Sequence, residues 1–185
     1  MSWGHLHLML NHLPVLGAPA LLALLAWGLV RGLPEVTRIA LWGTVALGAV
    51  SGVVYLTGEA AEEMVEELPT FQEYLVERHE VIALWATVIV VATAAFAAAA
   101  LWRSRREAPR PGLTRLVLIG LLVSTLAVGV TAWTGGPIGH PELRTVGLPG
   151  VEGSGRSAVL ATITIAYTVV LPLDEVVAPK IGGPL

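Results

Sequence analysis

Three of the five histidines in this 185-residue chain, His5, His7 and His12, are crowded into "HLHLMLNHLPVLG" (5–17). The other two, His79 and His140, stand in "ERHE" (77–80) and "TGGPIGHPEL" (134–143). Imidazole nitrogens and carboxylate oxygens are ligands for zinc, copper or iron. A pair of imidazoles from facing helices can also hold haem iron in a bundle core. No cysteine is present, so disulfides, thiolate metal sites, iron–sulfur clusters and covalent haem attachment through cysteine are excluded. The candidate metal ligands are therefore His7, His12, Glu59, His79 and His140. His79 and Glu80 are adjacent, so one helix cannot aim both at a single ion. His7 and His12 are spaced poorly for one helical face. His12 with His79 is the better cofactor-binding pair, because the two come from different helices. The competing reading is that an interfacial histidine only hydrogen-bonds headgroups or backbone.

The elements that must position these residues are apolar. Hydrophobic residues make up 55% of the chain and charged residues 14%, with a mean hydropathy of +0.73. Soluble domains are about 45–50% apolar and about 25% charged. The excess falls into blocks near the ~20 residues a helix needs to cross a bilayer. Four spans are predicted, over 13–30, 37–56, 80–102 and 114–133. A fifth stretch, 157–173, is ambiguous: it meets the lower length limit for a span, yet "ATITIAYTVV" alternates as a half-buried strand would. The fold class is all-α: an integral membrane four-helix bundle of two helical hairpins in residues 1–144, with a C-terminal extension, 145–185, that holds the candidate fifth span. The N-terminus has neither a basic n-region nor an A-x-A site, so no removable signal peptide is expected.

Charge sets an expected orientation. Of eleven basic residues, seven are arginines in 31–38 and 103–115, two loops on one side, while eight of fourteen acids lie in 58–80. The arginine-rich side reads as cytoplasmic. That puts the N-terminus and all five histidines outside the cytoplasm, in a bacterial inner membrane. Trp27, Trp42, Trp102 and Trp133 fall near span ends, as interfacial anchors do. The acidic run "EAAEEMVEEL" reads first as an interfacial amphipathic helix with solvated glutamates. A net charge of −3 offers no reason to expect a nucleic-acid partner.

The halves share punctuation. Spans one and three each start at a histidine, His12 and His79, and spans two and four each end in Thr-Gly, "YLTGEAAEE" (55–63) and "WTGGPIGHPEL" (133–143). The plain reading of each Thr-Gly is a helix stop. The likeness also suggests two hairpins related by an axis along the membrane normal, which would bring His12, Glu59, His79 and His140 toward one mouth of the bundle.

At "LNHLPVLG", "LTGEAAEE", "ERHE" and "TGGPIGHPEL" the chain resembles a family of uncharacterised small bacterial membrane proteins, over about residues 5 to 144. That family looks related to a broader four-helix membrane family, a domain of unknown function that opens on a His–Pro or His-x-Pro motif. The matching positions are His12, Glu59, His79, His140 and Glu142. Members of the broader family are sometimes fused to Rieske or c-type cytochrome domains, and the resemblance thereby implies a link to membrane electron transfer and to cytochrome or respiratory-chain partners.

The leading expectation is a cofactor-binding membrane protein that holds haem b or a transition metal ion at its outward mouth, for electron transfer or metal handling. The alternative is a structural or accessory subunit of a membrane complex, or a homo-oligomer, in which the histidines only position helices. A transporter is less favoured, because spans two to four carry no mid-membrane ionisable residue. No G-x-S-x-G or H-E-x-x-H occurs, and the sequence assigns no enzyme activity.

Overall fold

In the computed structural model, residues 2–104 and 111–144 are described. The candidate fifth span at 157–173 lies outside them. The chain divides into two compact units, Met1–Leu143 and Arg144–Leu185. The described elements are α1 (Trp3–Leu10), α2 (His12–Val30), α3 (Pro34–Leu56), α4 (Gly58–Glu66), α5 (Glu73–Arg103), α6 (Pro111–Gly139) and a closing 3-10 turn, Pro141–Arg144. All six α-helices belong to the first unit. Four helical stretches, Trp3–Val30, Pro34–Glu66, Glu73–Arg103 and Pro111–Gly139, are long and apolar enough to cross a membrane. Among the described residues there is no strand.

The first unit is a four-helix membrane bundle. α2 packs on α3 and α6, and α5 packs on the same two, so α2 and α5 stand at opposite corners. The outer faces carry bare apolar side chains, among them Trp27, Ile39, Trp42, Phe96, Leu122 and Leu126. Such a belt suits lipid, which solvates apolar surface as well as a protein core does. Small residues let the helices close on one another. A Cβ on Gly48 would collide with Ala94, and one on Gly120 would lie 2.7 Å from Thr93 Oγ1. Buried hydroxyls return their protons to their own helices, as Thr44 does to the Ala40 carbonyl and Ser51 to the Leu47 carbonyl, both at 2.8 Å. At the end opposite the histidines, Arg38 Nη2 donates to the Ser104 carbonyl at 2.9 Å, tying the start of α3 to the end of α5.

The helices outrun the apolar blocks. The first stretch starts at Trp3, with a break at Asn11, and α5 starts at Glu73. Histidines expected before the membrane therefore sit on helix. The second Thr-Gly is not a stop, because α6 runs on through Gly135, Gly136 and Pro137 to Gly139. At the first, α3 ends at Leu56 with Thr57 as its cap, and α4 follows from Gly58.

Burial gives the repeat its true register. Gly4, Pro14, Ala18, Leu25 and Gly28 are buried in α1 and α2. Val76, Ala86, Val90, Ala97 and Ala100 are buried in α5, each the same number of positions further along. Thr37, Ala40, Thr44, Leu47, Ser51 and Thr57 relate to Thr114, Val117, Leu121, Ser124, Val128 and Thr134 by a second constant interval, five positions longer than the first. In this register the equivalent of His79 is His7, not His12. The expected match between His12 and His79 is corrected by five residues, because span one begins earlier than its apolar block.

Candidate functional site

His7 lies on α1, the extension of α2, and His79 lies in the second turn of α5. They come from opposite corners of the bundle, and each is half-buried. Each is also within electrostatic reach of the other.

The ring nitrogens can be told apart. His7 Nδ1 is 2.9 Å from the carbonyl oxygen of Val54 on α3. A carbonyl only accepts, so Nδ1 carries the proton and the neutral ring keeps its lone pair on Nε2. His79 Nδ1 is 3.2 Å from Thr134 Oγ1 on α6. The single hydroxyl proton of Thr134 is donated to the Thr131 carbonyl at 3.0 Å, so its oxygen accepts from His79. A further hydrogen bond joins His79 to the Thr131 backbone. With the Thr134 oxygen accepting, His79 carries its proton at Nδ1 as well, and Nε2 holds its lone pair. Metal-binding histidines are prepared in this way: the far nitrogen is tied to a carbonyl or other acceptor, which fixes tautomer and ring orientation and raises the basicity of the ligating nitrogen.

The Thr-Gly pairs explain why the rings fit. A Cβ on Gly135 would stand 2.9 Å from His79 Cε1 and 3.2 Å from its Nδ1. On Gly58, a Cβ would stand 3.8 Å from His7 Cε1. Each glycine lies against one imidazole, and Val54 and Thr131, the acceptors, occupy equivalent places three residues before each threonine. The unit of His, backbone acceptor, Thr and Gly is built twice.

The remaining candidates fall elsewhere. His12 opens α2 with an exposed side chain that makes no hydrogen bond among the described residues. His140 is exposed, and its Nδ1 is 3.0 Å from Glu142 Oε1, a local surface pair. Glu59 is exposed on α4 and lines an outer groove with Trp3, Val53, Leu56 and Glu63. His5 Nδ1 meets Ser2 Oγ at 2.6 Å in the exposed N-terminal cap. Among the described residues no three His, Asp or Glu side chains form a group able to hold a metal ion. The expected set of His7, His12, Glu59, His79 and His140 does not converge. His7 and His79 lie within electrostatic reach of each other.

The Glu142 carboxyl is held below its ordinary range, first by its own backbone N–H and then by the His140 side chain. Glu62 on α4 lies within electrostatic reach of Glu80 and Glu73 on α5, so the acidic helix hangs over the same end of the bundle as the two imidazoles. Sequence reasoning noted both Thr-Gly pairs only as helix punctuation and missed their place beside the imidazoles, together with Val54 and Thr131. Their signal was the repeated Thr-Gly itself, with Val54 and Thr131 each three residues before its threonine.

Compared with protein-family models, with curated proteins and with solved structures, the chain matches none.

Proposed function

We propose that the chain is a cofactor-binding membrane protein in which His7 and His79 offer their Nε2 lone pairs to the iron of one haem b, in the service of membrane electron transfer. The observation that carries this is the pair of imidazoles on opposite helices, each with Nδ1 anchored and Nε2 left to ligate.

Donor count favours haem over a bare ion. Zinc takes three or four protein donors, and two nitrogens fall short of that. Haem iron draws four donors from the porphyrin and asks the protein only for axial ligands. A haem iron with two imidazole ligands has no open position for a substrate, which suits an electron carrier. The arginine asymmetry supports a multi-pass protein of a bacterial inner membrane with its N-terminus, and hence this site, outside the cytoplasm. Cytochrome or respiratory-chain partners there would fit the family resemblance.

The alternative, a structural or accessory subunit, draws on the same hydrogen bonds, since His7 and His79 each pin a neighbouring helix. The two readings separate in one experiment. The protein is purified in mild detergent and titrated with haemin, its visible spectrum is taken oxidised and reduced, and metal content is measured on the same sample. One haem per chain, with the spectrum of a six-coordinate bis-imidazole iron, is expected. An absence of haem uptake by folded protein, with His7→Ala and His79→Ala lowering only the thermal midpoint, would favour the scaffold.

A further inference from the structure

The groove between α5 and α6 raises a separate question. It is lined by Arg78, Thr125, Leu126, Gly129, Val130, Trp133 and Thr134. The Arg78 side chain has no ion pair or hydrogen bond among the described residues. A guanidinium is a fork of donors suited to phosphate, and at the edge of an apolar bundle it has few other anions to meet. Trp133 beside it is 81% exposed, as an aromatic at headgroup depth is.

Below the arginine the groove turns apolar, with Leu126 and Val130 exposed. From Thr134 down to Thr125 the helix falls by about 14 Å at ~1.5 Å per residue. One leaflet of a ~30 Å hydrocarbon core is about that deep. Cation, interfacial aromatic and apolar channel are stacked in the order of a phospholipid's headgroup, glycerol and acyl chain.

The repeat supplies an internal control. The equivalent groove on the first hairpin is lined by Val53, Leu56 and Thr57, in the places of Val130, Trp133 and Thr134. The equivalent of Arg78 is Leu6, and the charged residues lining this groove are Glu59 and Glu63. The shapes are related, and the charges are opposite.

We infer that the α5–α6 groove binds one anionic phospholipid, with Arg78 holding the phosphate and the Leu126–Gly129–Val130 channel holding the upper part of an acyl chain. The acidic groove on the other hairpin rejects the same lipid.

The test is native mass spectrometry of the full chain in mild detergent, titrated with dioleoyl phosphatidylglycerol or dioleoyl phosphatidylcholine. One tightly held phosphatidylglycerol is expected, with phosphatidylcholine bound about tenfold more weakly. Arg78→Gln should erase that preference, and Arg78→Lys, which keeps the charge, should restore much of it. A Cβ on Gly129 meets nothing within 4 Å, so Gly129→Leu should fold and fill the channel, weakening phosphatidylglycerol with the guanidinium intact. Thermal midpoints of all variants check folding. Equal retention of the two lipids, an unchanged preference in Arg78→Gln, or no loss in Gly129→Leu would overturn the inference. Displacement of the lipid by millimolar inorganic phosphate would overturn it too, since the site would then recognise free phosphate rather than a lipid.

Discussion

The two hairpins make the same clamp from different local structure. In the first, His7 sits on a short helix joined to α2 at Asn11, and Thr57 caps α3 before the chain turns into the acidic α4. In the second, His79 sits within the unbroken α5, and Thr134 and Gly135 lie inside α6. The first imidazole uses a carbonyl, and the second adds a threonine hydroxyl to its backbone acceptor. The first has ordinary clearance beside its glycine and the second has almost none. Position in the bundle is thus preserved while backbone and hydrogen-bond partner vary. The tighter copy should be the more fragile.

The largest difference is expected at the glycines. Gly135→Ala forces the His79 ring to move, and overpacking of this kind costs about 1–3 kcal/mol. Gly58→Ala fits in van der Waals contact, and alanine's better helix propensity offsets whatever it disturbs. Thermal unfolding in detergent and haemin affinity should both fall for Gly135→Ala and hold for Gly58→Ala. Equal losses would mean that the two copies are equally tight.

Next in size is the pair of threonines. Thr134→Val keeps the shape but removes one of the two acceptors of His79, leaving the Thr131 backbone, and the loss of one such hydrogen bond costs about 1 kcal/mol. Thr57 only donates, to the Val53 and Val54 carbonyls at 2.9 and 3.0 Å, so Thr57→Val leaves His7 its carbonyl. Haemin affinity should drop in Thr134→Val alone. A matching drop in Thr57→Val would show that the hydroxyls serve both copies alike.

The smallest effect is expected beyond the second Thr-Gly, where the chain leaves α6. There Glu142 has its carboxyl held below the ordinary value of 4.5 by its own backbone N–H and by His140. A depressed carboxyl contributes stability that is fully present above the ordinary value and is lost as pH falls through the lowered one. The group is exposed, so the contribution is small. Glu142→Gln should leave the thermal midpoint at pH 7 unchanged within error, and should differ from the parent only in acid. A clear loss at neutral pH would give this pair a structural weight that its exposure denies it.

Length and composition sufficed to place four spans. They did not reveal which face of each helix is buried, and the reason is physical. In lipid both faces of a helix are apolar, so the contrast that marks a core-facing stripe in water is missing. Gly4, Pro14, Ala18, Leu25 and Gly28 read as ordinary small and apolar residues until their equivalents in α5 are set beside them. His12 drew attention because it abuts the apolar run and Pro14. His7 lies on a short apolar helix, Trp3–Leu10, interrupted by two histidines and set off from span one by Asn11. Thr134-Gly135-Gly136-Pro137 has the composition of a stop, yet α6 continues through it, as membrane helices tolerate Pro and Gly where neighbours satisfy the backbone. The histidine-bearing end was legible, whereas the identity of the pair was not.

The most direct measurement is a double-mutant cycle on haemin affinity, by absorbance titration of the parent, His7→Ala, His79→Ala, the double variant and His12→Ala, with thermal midpoints recorded in parallel. Residues that act as one unit are not additive. Each single change at His7 or His79 is expected to remove most of the affinity, the double change to add little, and His12→Ala to bind as the parent does. Independent, additive losses at His7 and His79, or a loss at His12→Ala as large as at His7→Ala, would contradict a site shared by His7 and His79.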